Sequence, residues 1–198
     1  RDFRTLTTDL AVTERLAPLV PANVTLIAGS GIGSRADVER LAPLVDAFLV
    51  GSSLMAGEGI NEPARARVHG RVKLCGLTRD DDVAAAARSG ATHAGFIMVP
   101  GTPRAVEPSR LRDLAEQARS IGLKPVGVYR DSDPRDVARQ ADLSRLEAVQ
   151  LHGREAPAAF RQRLPPNVEL WALCGIGTDV AASRPGADRS LFDTVRSG

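Results

Sequence analysis

The chain is poor in aromatic residues and in cysteine, and it has no long apolar run. Aromatic side chains make up 4% of the 198 residues, which argues against a stacking surface for single-stranded nucleic acid. The two cysteines, Cys75 and Cys174, are too few for a disulfide scaffold and too far apart for a zinc-binding pair. No apolar run approaches the roughly 20 residues of a membrane-spanning helix, and the first residues lack a signal-peptide pattern. We therefore expect a cytoplasmic protein with no nucleic-acid or membrane partner.

The composition is that of an ordinary globular protein. Hydrophobic residues account for 43% of the chain and charged residues for 25%. The 26 basic and 24 acidic residues leave a formal net charge of +2, which demands no polyanionic partner. A chain of this length can bury one sizeable core, so we expect a single domain over residues 1–198, as a monomer.

Strand-like and helix-like segments alternate along the chain. β-rich runs predict eight strands, at residues 24–28, 47–50, 72–74, 94–99, 125–129, 148–151, 169–173 and 190–192. A first helix, predicted over residues 6–20, has no strand before it, and the last strand has no helix after it. Ser34 and Asp37 have capping-box spacing, and Pro108 and Pro134 are expected to open helices.

These elements predict an α/β protein, a (β/α)₈ TIM barrel. In a closed barrel the unmatched first helix can pack behind the unmatched last strand, and roughly 200 residues is the lower limit of this fold. The alternative is an open doubly wound sheet. However, the stretch GSGIG at residues 29–33 is not the dinucleotide-binding pattern, and no phosphate-binding P-loop occurs.

Two reactive side chains each end a short apolar run just before a loop. They are Cys75 and Asp193, and the carboxyl ends of parallel strands are where barrels place their chemistry. A thiol and a carboxyl facing one cavity can serve as base and acid. We expect Cys174 to be structural, His69 and His93 to be surface or packing residues, and the acidic run at residues 80–82 to be a helix N-terminus. No metal and no cofactor are predicted.

Four motifs occur in the order found in phosphoribosylanthranilate isomerase. They are KLCGLT at 73–78, GTPR at 101–104, VQLHG at 149–153 and LFDT at 191–194. Together they are specific, although each alone is weak. Residues 1–68 resemble instead the last quarter of indole-3-glycerol-phosphate synthase, through RDF at 1–3, SGI at 30–32 and FLVGSSLM at 48–55. In some bacteria the two enzymes are fused in this order.

The resemblance implies an Amadori rearrangement of N-(5′-phosphoribosyl)anthranilate in tryptophan biosynthesis. Asp193 would protonate the furanose oxygen, and Cys75 would take the proton from C2′. Arg104 is suited to the anthranilate carboxylate. Gln150 and His152 would shape the pocket. A related barrel isomerase of histidine biosynthesis has a carboxylate where Cys75 stands, so the thiol argues against that reaction.

Glycine-rich turns after the first two predicted strands are expected to bind the substrate phosphate. Backbone N–H groups exposed by glycine cradle phosphates, and in many barrels that site follows strands seven and eight. The residues concerned are Gly29, Ser30, Gly31, Gly51 and Ser52. The alternative is that these are simply tight turns. Gly29 also replaces the catalytic glutamate of the synthase family, so synthase activity should be absent.

Two arrangements of the chain are open. In a composite barrel, the synthase-like residues 1–68 supply strands seven and eight, and the isomerase-like residues 69–198 supply strands one to six. The count of strands and helices favours this arrangement. The alternative is a catalytically inactive fragment of a bifunctional synthase and isomerase that needs a partner or a missing segment.

Overall fold

The structure is a computed structural model that describes residues 8–29, 31–51, 53–54, 60–176 and 184–194. The chain divides into two compact units, Arg1–Arg71 and Val72–Gly198. Its strands form one sheet of two strands and one sheet of six, and every strand pair is parallel. Within these ranges no helix is both long and apolar enough to cross a membrane.

Among its described residues, the first unit contains a two-stranded sheet, three short α-helices and a 3₁₀ helix at Ala17–Leu19. The elements are α1 (Leu10–Leu16), β1 (Ile27–Gly29), α2 (Arg35–Leu41), β2 (Ala47–Leu49) and α3 (Asn61–His69). Its small core is built on Ala28, Ile32 and Leu41. The predicted capping box is present at α2, where the Asp37 backbone N–H donates to Ser34 Oγ and the Ser34 backbone N–H donates to Asp37 Oδ2.

The second unit is a six-stranded parallel sheet whose strands follow one another in chain order. Its elements are β3 (Lys73–Cys75), α4 (Asp80–Arg88), β4 (His93–Ile97), α5 (Pro108–Ser120), β5 (Lys124–Tyr129), α6 (Pro134–Leu143), β6 (Ala148–Leu151), α7 (Pro157–Arg161), β7 (Glu169–Ile176) and β8 (Arg189–Thr194).

The two faces of the six-stranded sheet bury different clusters. On the helix-covered face, strand residues such as Phe96 and Leu170 join Leu111 and Leu114 of α5, and α4, α6 and α7 add to the same cluster. On the other face, here called the inner face, a separate cluster consists of Val126, Ala148 and Trp171, with Leu191 packed against it. Successive strands that bury all their helices on one face are typical of a (β/α) barrel, whereas a doubly wound sheet reverses its strand order.

All eight predicted strands are present, and Pro108 and Pro134 open α5 and α6 as predicted. The first strand begins later than expected, at Ile27 instead of residue 24. The reason is a turn in which the Val24 backbone N–H donates to the Pro21 carbonyl at 3.0 Å, which takes residues 21–24 out of extended conformation.

The α/β prediction is confirmed, and the sheet of the second unit is barrel-like. The doubly wound alternative does not fit the sequential strand order of that sheet. In the described residues the eight strands are grouped as two and six, so the composite eight-stranded barrel stays a prediction.

Candidate active site

Cys75 is the last residue of β3, at the carboxyl end of the sheet, and it is exposed. It pairs in register with Gly95, which pairs with Val126 of the inner-face cluster. A Cβ atom placed on Gly95 would lie 2.9 Å from Cys75 Sγ and 2.8 Å from Lys73 Nζ. The thiol and the ammonium therefore lie over the same glycine, within about 5.7 Å of each other.

The loop after β4 brings Arg104 to Cys75. Thr102 Oγ1 donates to the Val99 carbonyl at 2.9 Å, and Ala105 forms a bridge with Ile97 that closes the loop. Arg104 Nη1 then donates to the Cys75 carbonyl at 3.2 Å. The structure thus unites two residues that the sequence separates by a helix and a strand.

Gly76 makes this approach possible. Its φ is +84°, which side chains with a Cβ rarely adopt, and a Cβ there would lie 2.6 Å from Arg104 Nη1. The backbone conformation therefore favours glycine at this position of the KLCGLT motif, and a side chain there would displace the guanidinium that lies against it.

Gln150 and His152 lie together at the carboxyl end of β6. Gln150 is directly opposite Trp171 in register and is 6% exposed. Its Nε2 lies 3.5 Å from His152 Nδ1, while its buried Oε1 has no partner among the described residues. The His152 backbone N–H donates to the Tyr129 carbonyl at 2.7 Å, which holds the His152 backbone at the strand end, and its side chain is exposed. An orphan buried acceptor beside an imidazole is suited to a polar ligand.

Asp193 lies in β8, where it pairs in register with Gly175. It is two positions beyond Leu191 of the inner-face cluster, and alternate positions of a strand share a face. The Asp193 side chain lies outside the described residues. Cys75 and Asp193 thus occupy the first and last strands of the six-stranded sheet.

The predicted phosphate-binding residues belong to the first unit. Gly29, Gly31 and Gly51 are exposed, while Ser30 and Ser52 lie outside the described residues. Gly31 has a φ of +82°, and a Cβ there would lie 3.1 Å from Thr8 Cβ, so this turn requires glycine.

Arg67 of α3 ties the two glycine loops together. Its Nη2 donates to the Gly33 carbonyl at 2.8 Å and to the Ser53 carbonyl at 3.2 Å. Ser53 Oγ adds a 2.6 Å bond to the Ile32 carbonyl. The loops after β1 and β2 are therefore held in one fixed arrangement.

The remaining candidates have structural roles. Cys174 is buried, as predicted. His93 is a packing residue whose Nδ1 lies 2.7 Å from Thr92 Oγ1 and whose ring lies 5.4 Å from that of Trp171, and His69 is exposed. The acidic run at residues 80–82 forms the first turn of α4, as predicted. Across the part of the chain that the structure describes, no three His, Cys, Asp or Glu residues are grouped as a metal site.

Sequence reasoning missed Lys73 and Arg67. Lys73 precedes Cys75 by two positions in a strand. Because alternate residues of a strand share a face, the sequence could have placed both side chains on one face of the sheet. No signal marks Arg67, because its partners are backbone carbonyls distant in sequence.

In the second unit the parallel strands follow one another in chain order, the helices cover one face of the sheet, and polar and reactive residues lie at the carboxyl ends of the strands. These features place the unit among the (β/α)-barrel enzymes. Residues 72–198 match the family of N-(5'phosphoribosyl)anthranilate (PRA) isomerase, and residues 1–66 match Indole-3-glycerol phosphate synthase. The chain belongs to the PRA isomerase family and carries a synthase-family segment before it. Both parts of the resemblance found in the sequence are thereby confirmed.

The similar curated proteins combine both segments. The tryptophan biosynthesis protein TrpCF of Salmonella typhi is 39% identical over 202 residues, covering 100% of this chain and 44% of that protein. TrpCF of Vibrio cholerae is 38% identical over 201 residues, covering 98% and 41%. The chain therefore spans less than half the length of these relatives. The crystal structure of phosphoribosyl anthranilate isomerase from Thermus thermophilus matches with a TM-score of 0.56 and 33% identity, over 65% of this chain and 64% of that one.

Proposed function

We propose that the chain carries the isomerase site for an Amadori rearrangement of N-(5′-phosphoribosyl)anthranilate to 1-(2-carboxyphenylamino)-1-deoxyribulose 5-phosphate. The observation that carries the proposal is the exposed Cys75 thiol at the carboxyl end of β3, with Arg104 bonded to its carbonyl. Both residues lie in the region that matches the isomerase family.

In this proposal Asp193 is the acid and Cys75 the base. Asp193 donates a proton to the furanose ring oxygen, the bond from C1′ to that oxygen breaks, and the nitrogen lone pair forms a Schiff base. Cys75 then removes the C2′ proton, and the electrons of that bond form the C1′–C2′ double bond of an enolamine. Tautomerisation gives the ketose. Oxidation at C2′ balances reduction at C1′, so the reaction needs no redox cofactor.

The neighbouring side chains can bind the carboxylate of the anthranilate group and a hydroxyl of the sugar. Arg104 is exposed, and its planar guanidinium can pair with the anthranilate carboxylate while one N–H remains on the Cys75 carbonyl. The buried Oε1 of Gln150 can accept a hydroxyl hydrogen from the sugar. His152, beside it, would line the same pocket.

A phosphate would be bound at the glycine turns of the first unit. Support comes from the exposed backbone of Gly29, Gly31 and Gly51 and from the arginine that fixes the two loops. Ser30 and Ser52 complete the proposed set.

The arrangement of the units decides which phosphate these turns serve. In a composite barrel over residues 1–198, they would bind the phosphate of the isomerase substrate. In a segment of a bifunctional protein, they would belong to a separate synthase-type barrel. The curated relatives carry both segments in this order within much longer chains, which supports the second arrangement.

The test follows the fluorescence of phosphoribosylanthranilate with the purified chain and two variants, Cys75→Ala and Asp193→Asn. Each should lose about 10²-fold or more of the activity, the usual contribution of an acid or base. Cys174→Ala is the matched control, because it removes the other thiol from a buried position outside the site. Full activity of the Cys75 variant would refute the proposed base.

A third variant, Gly51→Asp, separates the two arrangements. Among the described residues, its chain neighbours aside, none lies within 4 Å of a Cβ at Gly51, so the substitution is tolerated there and the added carboxylate acts by repelling phosphate. A raised KM for the isomerase substrate would support the composite barrel. An unchanged KM in an active enzyme would assign these turns to another phosphate. No activity in a folded chain would leave the inactive fragment as the interpretation.

A further inference from the structure

We propose that Glu155 is a positioning residue for the candidate active site, and that its carboxylate holds the turn after β6 so that His152 lies beside Gln150. The inference rests on the proposed function, in which Gln150 and His152 line the part of the pocket that takes the sugar. Glu155 acts on these residues through the backbone and touches no reacting atom.

Hydrogen bonds in both directions join the turn after β6 to the loop after β5. The Asp131 backbone N–H donates to Glu155 Oε1 at 2.5 Å, and the Arg154 backbone N–H donates to Asp131 Oδ1 at 3.4 Å. Asp131 has a φ of +51°, which is uncommon for any residue except glycine. Such a conformation persists where surrounding contacts hold it, and the bond to Glu155 is one of these contacts.

Gly153, directly after His152, lets both carboxylates close over the turn. A Cβ atom at Gly153 would lie 2.5 Å from Asp131 Oδ1 and 2.7 Å from Glu155 Oε2. The two carboxylates therefore fill the space that a side chain would occupy. In the part of the chain that the structure describes, the buried Glu155 Oε2 accepts no hydrogen bond, so Oε1 makes the polar contact of this side chain.

Two arginines lie around the same turn. Arg184 Nη1 donates to the Gly153 carbonyl at 2.9 Å, and its Nη2 donates to the Glu155 carbonyl. Arg130 Nε lies 3.5 Å from Asp131 Oδ2, so a positive charge offsets part of the repulsion between the two carboxylates. Both groups are donors only, so neither can replace Glu155 as the acceptor for the Asp131 N–H.

His152 lies between the end of the strand and this turn. Its backbone N–H donates to the Tyr129 carbonyl at 2.7 Å, and its Nδ1 lies 3.5 Å from Gln150 Nε2. The bond to Tyr129 holds the backbone before the turn, and the Glu155 carboxylate holds the turn itself. Without that carboxylate the turn can adopt other conformations, and the imidazole should leave its place beside Gln150.

The first experiment compares the imidazole NMR signals of the unchanged protein, Glu155→Ala and Glu155→Gln. The chain has three histidines, so a His152→Gln variant assigns the signal of interest. Glu155→Ala should shift or broaden the His152 signal and leave that of His69 in place, whereas Glu155→Gln keeps an oxygen acceptor and should keep the signal. Glu147→Ala is the matched control, because it removes an exposed carboxylate at the opposite end of β6. An unchanged His152 signal in Glu155→Ala would overturn the proposal.

Two further measurements stay informative if Glu155→Ala does not fold. Gly153→Ala places a methyl group against both carboxylates and should shift the His152 signal as well. In the unchanged protein, the bond to Glu155 should slow hydrogen exchange of the Asp131 amide about ten-fold or more relative to an unstructured peptide. An Asp131 amide that exchanges as fast as in such a peptide would refute the bond on which the inference depends.

Kinetics connect the turn to the isomerase site. Glu155→Ala should raise KM about three- to ten-fold and change kcat less than about two-fold, because the residues it positions bind substrate and transfer no proton. A loss confined to kcat would contradict this role. The NMR and exchange measurements need no substrate. If the chain shows no isomerase activity, the proposed function fails, and these two measurements still decide whether Glu155 positions His152.

Discussion

Replacing Gly76 by alanine tests the contact between the KLCGLT motif and Arg104. At Gly76 the φ of +84° costs an L-residue about 1–2 kcal/mol. The new Cβ would also lie 2.6 Å from Arg104 Nη1 and 2.8 Å from its Cδ, so the side chain must move. Movement breaks the 3.2 Å bond to the Cys75 carbonyl, a loss of about 0.5–1.5 kcal/mol.

One effect opposes this loss. Alanine restricts the unfolded chain more than glycine does, which returns about 0.4–1 kcal/mol. The net decrease in the free energy of unfolding should therefore be about 0.5–3 kcal/mol. Because the displaced guanidinium is the proposed carboxylate ligand, the KM for the anthranilate substrate should rise as well.

A double-mutant cycle with Arg104→Ala separates the two costs. In that background Gly76→Ala meets no guanidinium, so only the backbone strain remains and the coupling energy should be about 0.5–1.5 kcal/mol. Urea unfolding followed by fluorescence suits this measurement, because the single tryptophan, Trp171, lies in the same unit as Gly76. If Gly76→Ala costs the same in both backgrounds, the close contact with Arg104 does not exist in solution.

Two further predictions concern the second unit. Asp188 Oδ2 accepts the buried Leu170 backbone N–H at 2.7 Å and Arg161 Nη1 at 3.2 Å. Asp188→Ala should therefore destabilise the sheet by about 1–3 kcal/mol in urea unfolding, and Asp188→Asn, which keeps an acceptor, by clearly less; equal losses would refute the role of that oxygen. Burial raises the pKa of Tyr129, the only tyrosine. Its contribution to stability is present below the unfolded pKa of about 10 and is lost as the pH rises above it toward the folded pKa. Tyrosinate absorbance should appear only as the protein unfolds, and Tyr129→Phe should remove this part of the alkaline decline; tyrosinate in the folded protein would contradict the prediction.

Local patterns in the sequence predicted most of the fold. A strand buried on both faces is a short apolar run, so all eight strands could be predicted from the sequence. Helix starts are marked by caps and prolines close in sequence, so the starts of α5 and α6 could be predicted as well. The late start of β1 was missed, because a turn at residues 21–24 competes with the β-propensity of Val24. How the eight strands are distributed between sheets is a long-range property, and counting strands did not determine it.

The candidate site was predictable to the extent that it follows from strand ends. The adjacency of Gln150 and His152 follows from their spacing on one strand. The approach of Arg104 to Cys75 could not be read from local patterns, since the loop between Ile97 and Ala105 and a glycine without a side chain produce it. Lys73 could have been found by applying the period of two to the strand that ends at Cys75.

The arginines that fix the loops, unlike the residues at the strand ends, could not be identified from the sequence. Arg67 bonds to the carbonyls of Gly33 and Ser53, and Arg184 Nη1 bonds to those of Gly153 and Leu173. Every residue has a carbonyl, so the partner's identity leaves no trace in the sequence, whereas a carboxylate partner would. In this chain the basic residues are mostly arginine, whose planar guanidinium presents five N–H donors in fixed directions, whereas lysine presents one compact ammonium. A substitution of such an arginine by lysine would preserve charge and still release a loop, so the net charge of +2 says little about how these arginines act.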